Sequence, residues 1–209
     1  MSSLRLQVTG VILALLGWLG TILSCALPMW RVTAFTGSKS SQGQIISEGL
    51  WKICNFLNTT QIQCPEYESL LPLPKDLQVA RVLMVTCIIV AALGLLFSVV
   101  GGKRAKRVEE ETAKAKVTTK AGVMFLMAGL LVLVPVCWTA YNITYSFLVS
   151  LEDSGESQKM GTSLYIGWAA SGLLLLGGSL LCCTWVPHPT HQPYSAKYSA
   201  ACTDVSHFI

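Results

Sequence analysis

Two cysteines, Cys54 and Cys64, stand ten positions apart in a stretch rich in strand and turn formers. The chemistry open to such a pair is oxidation to a disulfide near the base of a hairpin, with Asn55, Asn58 and Thr59 between the thiols. Other reactive residue types are scattered. His188, His191 and His207 all fall in a polar C-terminal tail and read as solvated side chains. No His, Cys or carboxylate group has metal-site spacing, and no Ser/His/Asp set, phosphate-cradling loop or nucleotide fingerprint is present. We therefore expect no catalytic residue, no metal, no cofactor and no enzymatic activity. Cys25, Cys87 and Cys137 lie in apolar runs and read as small hydrophobes. Cys182 and Cys183 close the last apolar run, a setting in which thiols are commonly palmitoylated.

The elements that must position these residues are membrane spans. Of 209 residues, 52% are hydrophobic and 12% charged. Soluble domains carry about 25% charged residues. The net charge of +4 is too modest for a nucleic-acid binder. Four apolar runs are long enough to span. The expected division is an N-terminus at 1–5, spans at 6–28, 79–100, 121–144 and 161–183, intervening loops at 29–78, 101–120 and 145–160, and a tail at 184–209. The first run has a rival reading as a signal peptide, with Arg5 as its charged flank and Ser24-Cys25-Ala26 as its cleavage site. It is longer than the 7–15 residues of a usual signal core, so we read it as a span ended by Pro28. Gly101-Gly102 is expected to close the second span, and Pro135 to kink the third. Gly167, Gly172, Gly177 and Gly178 are expected to allow close helix packing in the fourth.

Charge sets the orientation. Lys103, Arg104, Lys106, Arg107, Lys114, Lys116 and Lys120 crowd one short loop, which the positive-inside rule makes cytoplasmic. The 29–78 loop then faces outward, both termini lie inside, and the tail, rich in Pro, Tyr and Ser, is disordered alone. The outer loop alternates side chains in Trp30-Arg31-Val32-Thr33-Ala34-Phe35 and in Gln44-Ile45-Ile46-Ser47, as strands do. Glu66 to Leu71 reads as a short helical segment before Pro72. Asn58-Thr59-Thr60 and Asn142-Ile143-Thr144 are glycosylation sequons, the second too close to the bilayer for use. Arg81, at the outer end of the second span, is either a snorkelling anchor or a specific contact. The span cores lack Asp, Glu, Lys, Arg and His, which argues against an ion path through the bundle.

Trp30, Gly49-Leu50-Trp51, Cys54, Cys64 and Arg81 between two spans together resemble the claudin signature. Ala26 to Phe35, Val99 to Lys103, Gly167 to Gly172 and the tail from Gln192 to Ala201 resemble the family too, most of all the subgroup of claudins three and four. The resemblance implies a mainly α membrane protein, a left-handed four-helix bundle carrying a small antiparallel extracellular β-sheet. It implies a tight-junction protein in the plasma membrane of epithelial or endothelial cells. Such proteins polymerise into strands and control the path between cells. The alternative reading is a regulatory tetraspan subunit of a receptor or channel.

What the resemblance assigns residue by residue is as follows. Cys54 and Cys64 form the disulfide. Leu70 enters a pocket on a neighbouring molecule in cis, built from Phe147, Leu148 and Met160. Pro65, just after the second cysteine, faces the path between molecules. By strand alternation Tyr67 then faces it as well, while Glu66 and Glu68 point away. That uncharged pair predicts a barrier, and the rival is a cation-preferring pore using Glu66, Glu68 or the acidic second loop. Phe208 and Ile209 are the PDZ-binding end for zonula occludens scaffolds, with Phe208 where the family usually has Tyr. Partners are thus other claudins in cis and trans, PDZ scaffolds and membrane lipid, and no nucleic acid. The chain departs from the family in carrying Lys103-Arg104-Ala105-Lys106-Arg107 where cysteines usually follow the second span, and Val149-Ser150-Leu151 in place of Asn-Pro-Leu.

Overall fold

The structure, a computed structural model, describes residues 2–35, 44–57, 61–66, 75–104, 111–150 and 156–183. Four helices carry the chain: α1 (Ser2–Ala26), α2 (Lys75–Arg104), α3 (Glu111–Ser150) and α4 (Thr162–Cys183). Between them run five short strands: β1 (Arg31–Phe35), β2 (Gln44–Glu48), β3 (Ile53–Leu57), β4 (Gln61–Gln63) and β5 (Glu156–Met160).

All four helices are long and apolar enough to cross a membrane. Their outward side chains are largely apolar, such as Ile12 and Leu19 on α1, Val82 and Ile89 on α2, Met127 on α3 and Leu176 on α4. Only a bilayer makes such a surface stable, because lipid replaces the water that would otherwise face it. The inward stripe is also apolar, with Met84, Phe125, Val132, Leu174 and Leu181 fully buried.

Lipid tails are as apolar as leucine, so close backbone approach, not hydrophobicity, must hold the helices together. Glycine supplies that approach at the α1–α4 and α3–α4 seams. A Cβ on Gly177 would lie 2.7 Å from the Gly10 carbonyl oxygen, and one on Gly178 would lie 2.8 Å from that of Gly122. Gly167 also fits the expectation of tight packing, since its Cβ would meet Val136 at 2.8 Å. Gly172 does not, because nothing lies within 4 Å of a Cβ built there. It sits on the same helix but off the seam. Polar bridges supplement the contacts: Trp18 Nε1 donates to the Ile88 carbonyl at 3.1 Å, and Ser24 Oγ to the Ser163 carbonyl at 2.7 Å.

The helices run past the expected span ends, with α2 starting at Lys75 where the sequence predicts 79 and α3 at Glu111 where it predicts 121. The second helix continues past Gly101-Gly102 to Arg104, while its apolar candidate span stops at Val100. Glycine costs a helix only about 1 kcal/mol relative to alanine, which is not enough to end one. The third helix has 40 residues and runs unbroken through Pro135 to Ser150. At 1.5 Å per residue it is about 60 Å long, twice the roughly 30 Å hydrocarbon core of a bilayer. Its last turns, and β5 after them, occupy what reads in the sequence as the 145–160 loop.

The strands form one antiparallel sheet in the order β4-β3-β2-β1-β5. It sits at the end of the bundle where α1 and α3 finish and where α2 and α4 begin. The first four strands come from the α1–α2 connection, and the fifth from the α3–α4 connection. β5 pairs along all of β1, from Arg31 opposite Met160 to Phe35 opposite Glu156.

Candidate functional site

The sheet is joined to the bundle through the residues of the Trp, Gly-Leu-Trp and Arg pattern. Pro28 follows the last turn of α1, and the chain turns into β1. The Trp30 indole is fully buried, and its Nε1 donates to the Ser24 carbonyl at 2.8 Å. Its backbone N–H donates to the Glu48 carbonyl at 2.9 Å, which extends the β1–β2 ladder down to the bundle. The next residue after Glu48 is Gly49. A Cβ there would lie 2.4 Å from Pro28 Cα and 3.1 Å from the Leu27 oxygen, so backbone presses against backbone. Only glycine fits.

Gly49 N–H donates to the Lys52 carbonyl at 2.9 Å and closes a turn. Leu50 in that turn is fully buried. Its carbonyl accepts two hydrogen bonds from Arg81, from Nε at 3.0 Å and from Nη2. The same guanidinium lies 4.4 Å from the Trp51 ring centroid, a cation–π arrangement. Trp51 Nε1 in turn points to Cys25 Sγ at 3.4 Å. Of the two readings open for Arg81, the structure gives the specific contact: it clamps the turn to α2.

A second anchor was not read from the sequence. Gly161, between β5 and α4, donates its N–H to the Trp30 carbonyl at 3.2 Å, and Ser163 N–H donates to that of Met29 at 3.1 Å. A Cβ on Gly161 would fall 1.8 Å from the Met29 oxygen. A glycine before an apolar run was the available signal, but it looked like an ordinary helix boundary. Asp76 on α2 likewise accepts from Asn142 Nδ2 on α3 at 2.9 Å.

Cys54 and Cys64 are joined by a disulfide, with their Cα atoms 4.1 Å apart. The register explains the proximity. Asn55 pairs with Gln63 across β3 and β4, so the next pair toward the bundle is Cys54 with Cys64. Continuing the same register, Ile53 N–H donates to the Pro65 carbonyl at 3.2 Å, and Lys52 bridges to Glu66. Glu66 is therefore part of this ladder and not of a helix, because pairing with β3 continues past the cysteines. The rest of that expected helical segment, with Tyr67, Glu68 and Leu70, lies outside the described residues, as does the Asn58 sequon.

Residues directly opposite one another share a face, and faces alternate along each strand. One face carries the row Gln158, Thr33, Ile46, Asn55 and Gln63. The adjacent row is Met160, Arg31, Glu48 and Ile53, with Pro65 beside Ile53. The two charges in it face each other, Arg31 to Glu48 at 3.8 Å. The Asn55 amide oxygen is buried and has no hydrogen-bond partner among the described residues. The opposite face carries the disulfide and the Lys52–Glu66 ion pair, 2.9 Å long and exposed. The hydrogen bond and charge of Lys52 hold the Glu66 carboxyl below its ordinary range.

Phe147 and Leu148 stand exposed on the last turns of α3, and Met160 is half-buried at the end of β5, against which α3 packs. Cys182 and Cys183 end α4 with different surroundings. Cys182 turns toward α3, its Sγ filling the space beside Gly122, while Cys183 is exposed. Phe208 and Ile209 lie outside the described residues.

Comparison with known proteins agrees with this arrangement. Residues 4–181 match the model of the PMP-22/EMP/MP20/Claudin family. The chain is 61% identical to Claudin-4 of Homo sapiens over 201 residues, covering 96% of each chain. It is 52% identical to Claudin-3 of Rattus norvegicus over 198 residues, covering 95% of this chain and 90% of the relative. Claudin-6 of Homo sapiens is 47% identical over 99% of this chain and 94% of its own. With the anchored sheet, the four membrane-length helices and the disulfide already in place, the chain belongs to the PMP-22/EMP/MP20/Claudin family, on its claudin branch.

Proposed function

We propose that this claudin assembles with other claudin molecules in cis and trans into intramembrane strands, and that these strands close the path between cells. Family membership supports a tight-junction membrane protein working through claudin–claudin contacts. The basic run from Lys103 to Lys120 supports an orientation with the sheet outside the cell. Phe147 and Leu148, exposed beside β5, support a side-by-side contact that takes Leu70 of a neighbour. A buried leucine stabilises such a contact by roughly 1.5–3 kcal/mol. The tail ending in Phe208 and Ile209 docks on PDZ scaffolds as an added strand.

The observation that carries the barrier reading is the sheet register. Pro65 falls on the face whose central row, Gln158 to Gln63, has no charge, and whose Arg31 and Glu48 offset each other. Glu66, the next residue along the chain, is on the other face and bound to Lys52. A path lined by the Pro65 face, with Tyr67 beyond it, concentrates ions of neither sign.

The test is expression in epithelial cells lacking tight junctions, read by freeze-fracture and by dilution potentials across a monolayer. We expect continuous strands, raised resistance and little preference between Na⁺ and Cl⁻. Leu70→Glu should reach the surface without forming strands, and Asn55→Asp should introduce a Na⁺ preference. A strong Na⁺ preference of the unaltered chain, abolished by Glu66→Gln, would show that the other face lines the path. Absence of strands would remove the polymerisation reading.

A further inference from the structure

A groove of about 280 Å³ lies between α2 and α3 at the sheet end of the bundle. Val79 and Leu83 wall it on one side, and Val134 and Trp138 on the other. Val79, Val134 and Trp138 are each more than half exposed, so the groove opens toward lipid and not into the core. Pro135 lines it too. Proline has no N–H to give to the carbonyl of Leu131 one turn earlier, so α3 is one hydrogen bond short here.

The mouth is charged with both signs. Lys75 and Asp76 form the start of α2. The Asp76 carboxylate is held in place by Asn142 Nδ2 at 2.9 Å and by Trp138 Nε1 at 3.5 Å. Lys75 is exposed, and no carboxylate is paired with it among the described residues. A fixed anion and an adjacent cation with no carboxylate partner among the described residues thus stand above an apolar slot. An indole beside them marks the depth at which headgroups begin.

We propose that the groove is a binding site for one zwitterionic phospholipid. The phosphate lies against Lys75, the ammonium against Asp76 and Trp138, and one acyl chain in the slot between Val79 and Val134. The two opposite charges match the two charges of such a headgroup. An anionic headgroup would meet the Asp76 carboxylate with no surplus cation to offset it. A sterol brings a hydroxyl and leaves Lys75 unmatched. The volume is below the roughly 300–1,000 Å³ of sites that take whole ring systems, and it suits a single chain. A helix of a second copy would not enter it and would press Lys75 against hydrocarbon, which is unfavourable.

The experiment uses the full chain in lipid nanodiscs doped with one of three photoactivatable probes: a phosphatidylcholine, a phosphatidylglycerol or a sterol. Crosslinked peptides are mapped by mass spectrometry. The readout is label at residues 79–83 and 134–138 relative to label on the lipid face of α1. That ratio should be highest for the phosphatidylcholine probe. Lys75→Glu should lower it about two- to fivefold, as an exposed charge contact would. Val79→Trp, which fills the slot, should remove most groove label while leaving α1 label intact. Equal ratios for all three probes, a preference for the sterol or the anionic lipid, or an unchanged ratio in Lys75→Glu would each overturn the proposal.

Discussion

Gly49→Ala is the smallest change that tests how the sheet is anchored. The added Cβ would sit 2.4 Å from Pro28 Cα and 3.1 Å from both the Pro28 carbonyl carbon and the Leu27 oxygen. These are all backbone atoms, so no side chain can swing away. Either β2 lifts off the end of α1, or α1's exit bends. Lifting β2 strains the Trp30–Glu48 and Gly49–Lys52 hydrogen bonds and pulls Leu50 from its buried position. Overpacking a tight site costs about 1–3 kcal/mol, and one net hydrogen bond about 1 kcal/mol more. We therefore expect a loss near 3 kcal/mol, an apparent Tm lower by roughly 6–12 °C. The paired control is Gly172→Ala, where a Cβ meets nothing within 4 Å. There the methyl should be neutral or stabilise by up to about 1 kcal/mol, the helix preference of alanine. Thermal unfolding of both variants in detergent, followed by tryptophan fluorescence, measures the contrast. If Gly49→Ala melts with the unaltered protein, or Gly172→Ala melts as early as Gly49→Ala, backbone contact is not what selects glycine at position 49.

Arg81→Lys should also destabilise, by about 1.5–3 kcal/mol, because an ammonium cannot make both bonds to the Leu50 carbonyl and stack on Trp51; thermal unfolding with and without Trp51→Leu would show the coupling, and independence of the two changes would refute it. Glu66 should titrate below the ordinary carboxylate range, since Lys52 favours its charged form. The ion pair is then intact above the carboxylate's unfolded pKa and is lost as pH falls through the lowered folded value, whereas Lys52→Gln should return Glu66 to the ordinary range in a carbon-13 NMR titration. Acyl-exchange labelling should find palmitate at the end of α4, with Cys183→Ser removing more signal than Cys182→Ser because only Cys183 is exposed; equal signal in the double Ser variant and the unaltered chain would count against acylation.

The spans were legible because hydropathy over twenty residues leaves little choice of structure in lipid. β1 and β2 were legible because their side chains alternate. β5 was not. Glu156-Ser157-Gln158-Lys159-Met160 has no apolar alternation, and it becomes a strand through its partner β1, which lies more than a hundred positions earlier. Local punctuation at Gly101-Gly102 marks where the apolar span ends, at Val100, but misled about the helix, which runs on because glycine is a weak stop. It also misled at Gly172, whose type matches its neighbours on α4 but whose direction does not. Arg81 had two equal readings in the sequence, and the choice depended on the Leu50 carbonyl, a backbone atom that no side-chain pattern can announce. The register that separates Pro65 from Glu66 did follow from alternation, once the cysteines were placed opposite each other.

The pairing of β5 with β1 has a mechanical consequence. β1 leads directly into the end of α1, and β5 into the start of α4, the two helices interlocked at Gly10 and Gly177. Tension applied to the sheet therefore enters through two strands that share a ladder, and leaves through two helices that share a seam. The Gly161 and Ser163 bonds to Trp30 and Met29 lie at the junction between them. The disulfide is outside this load path, since it ties β3 to β4 at the far edge of the sheet. Reduction should thus slacken the rim while the β1–β5 clamp still bears force, so the chain has a replaceable edge and a weight-bearing spine.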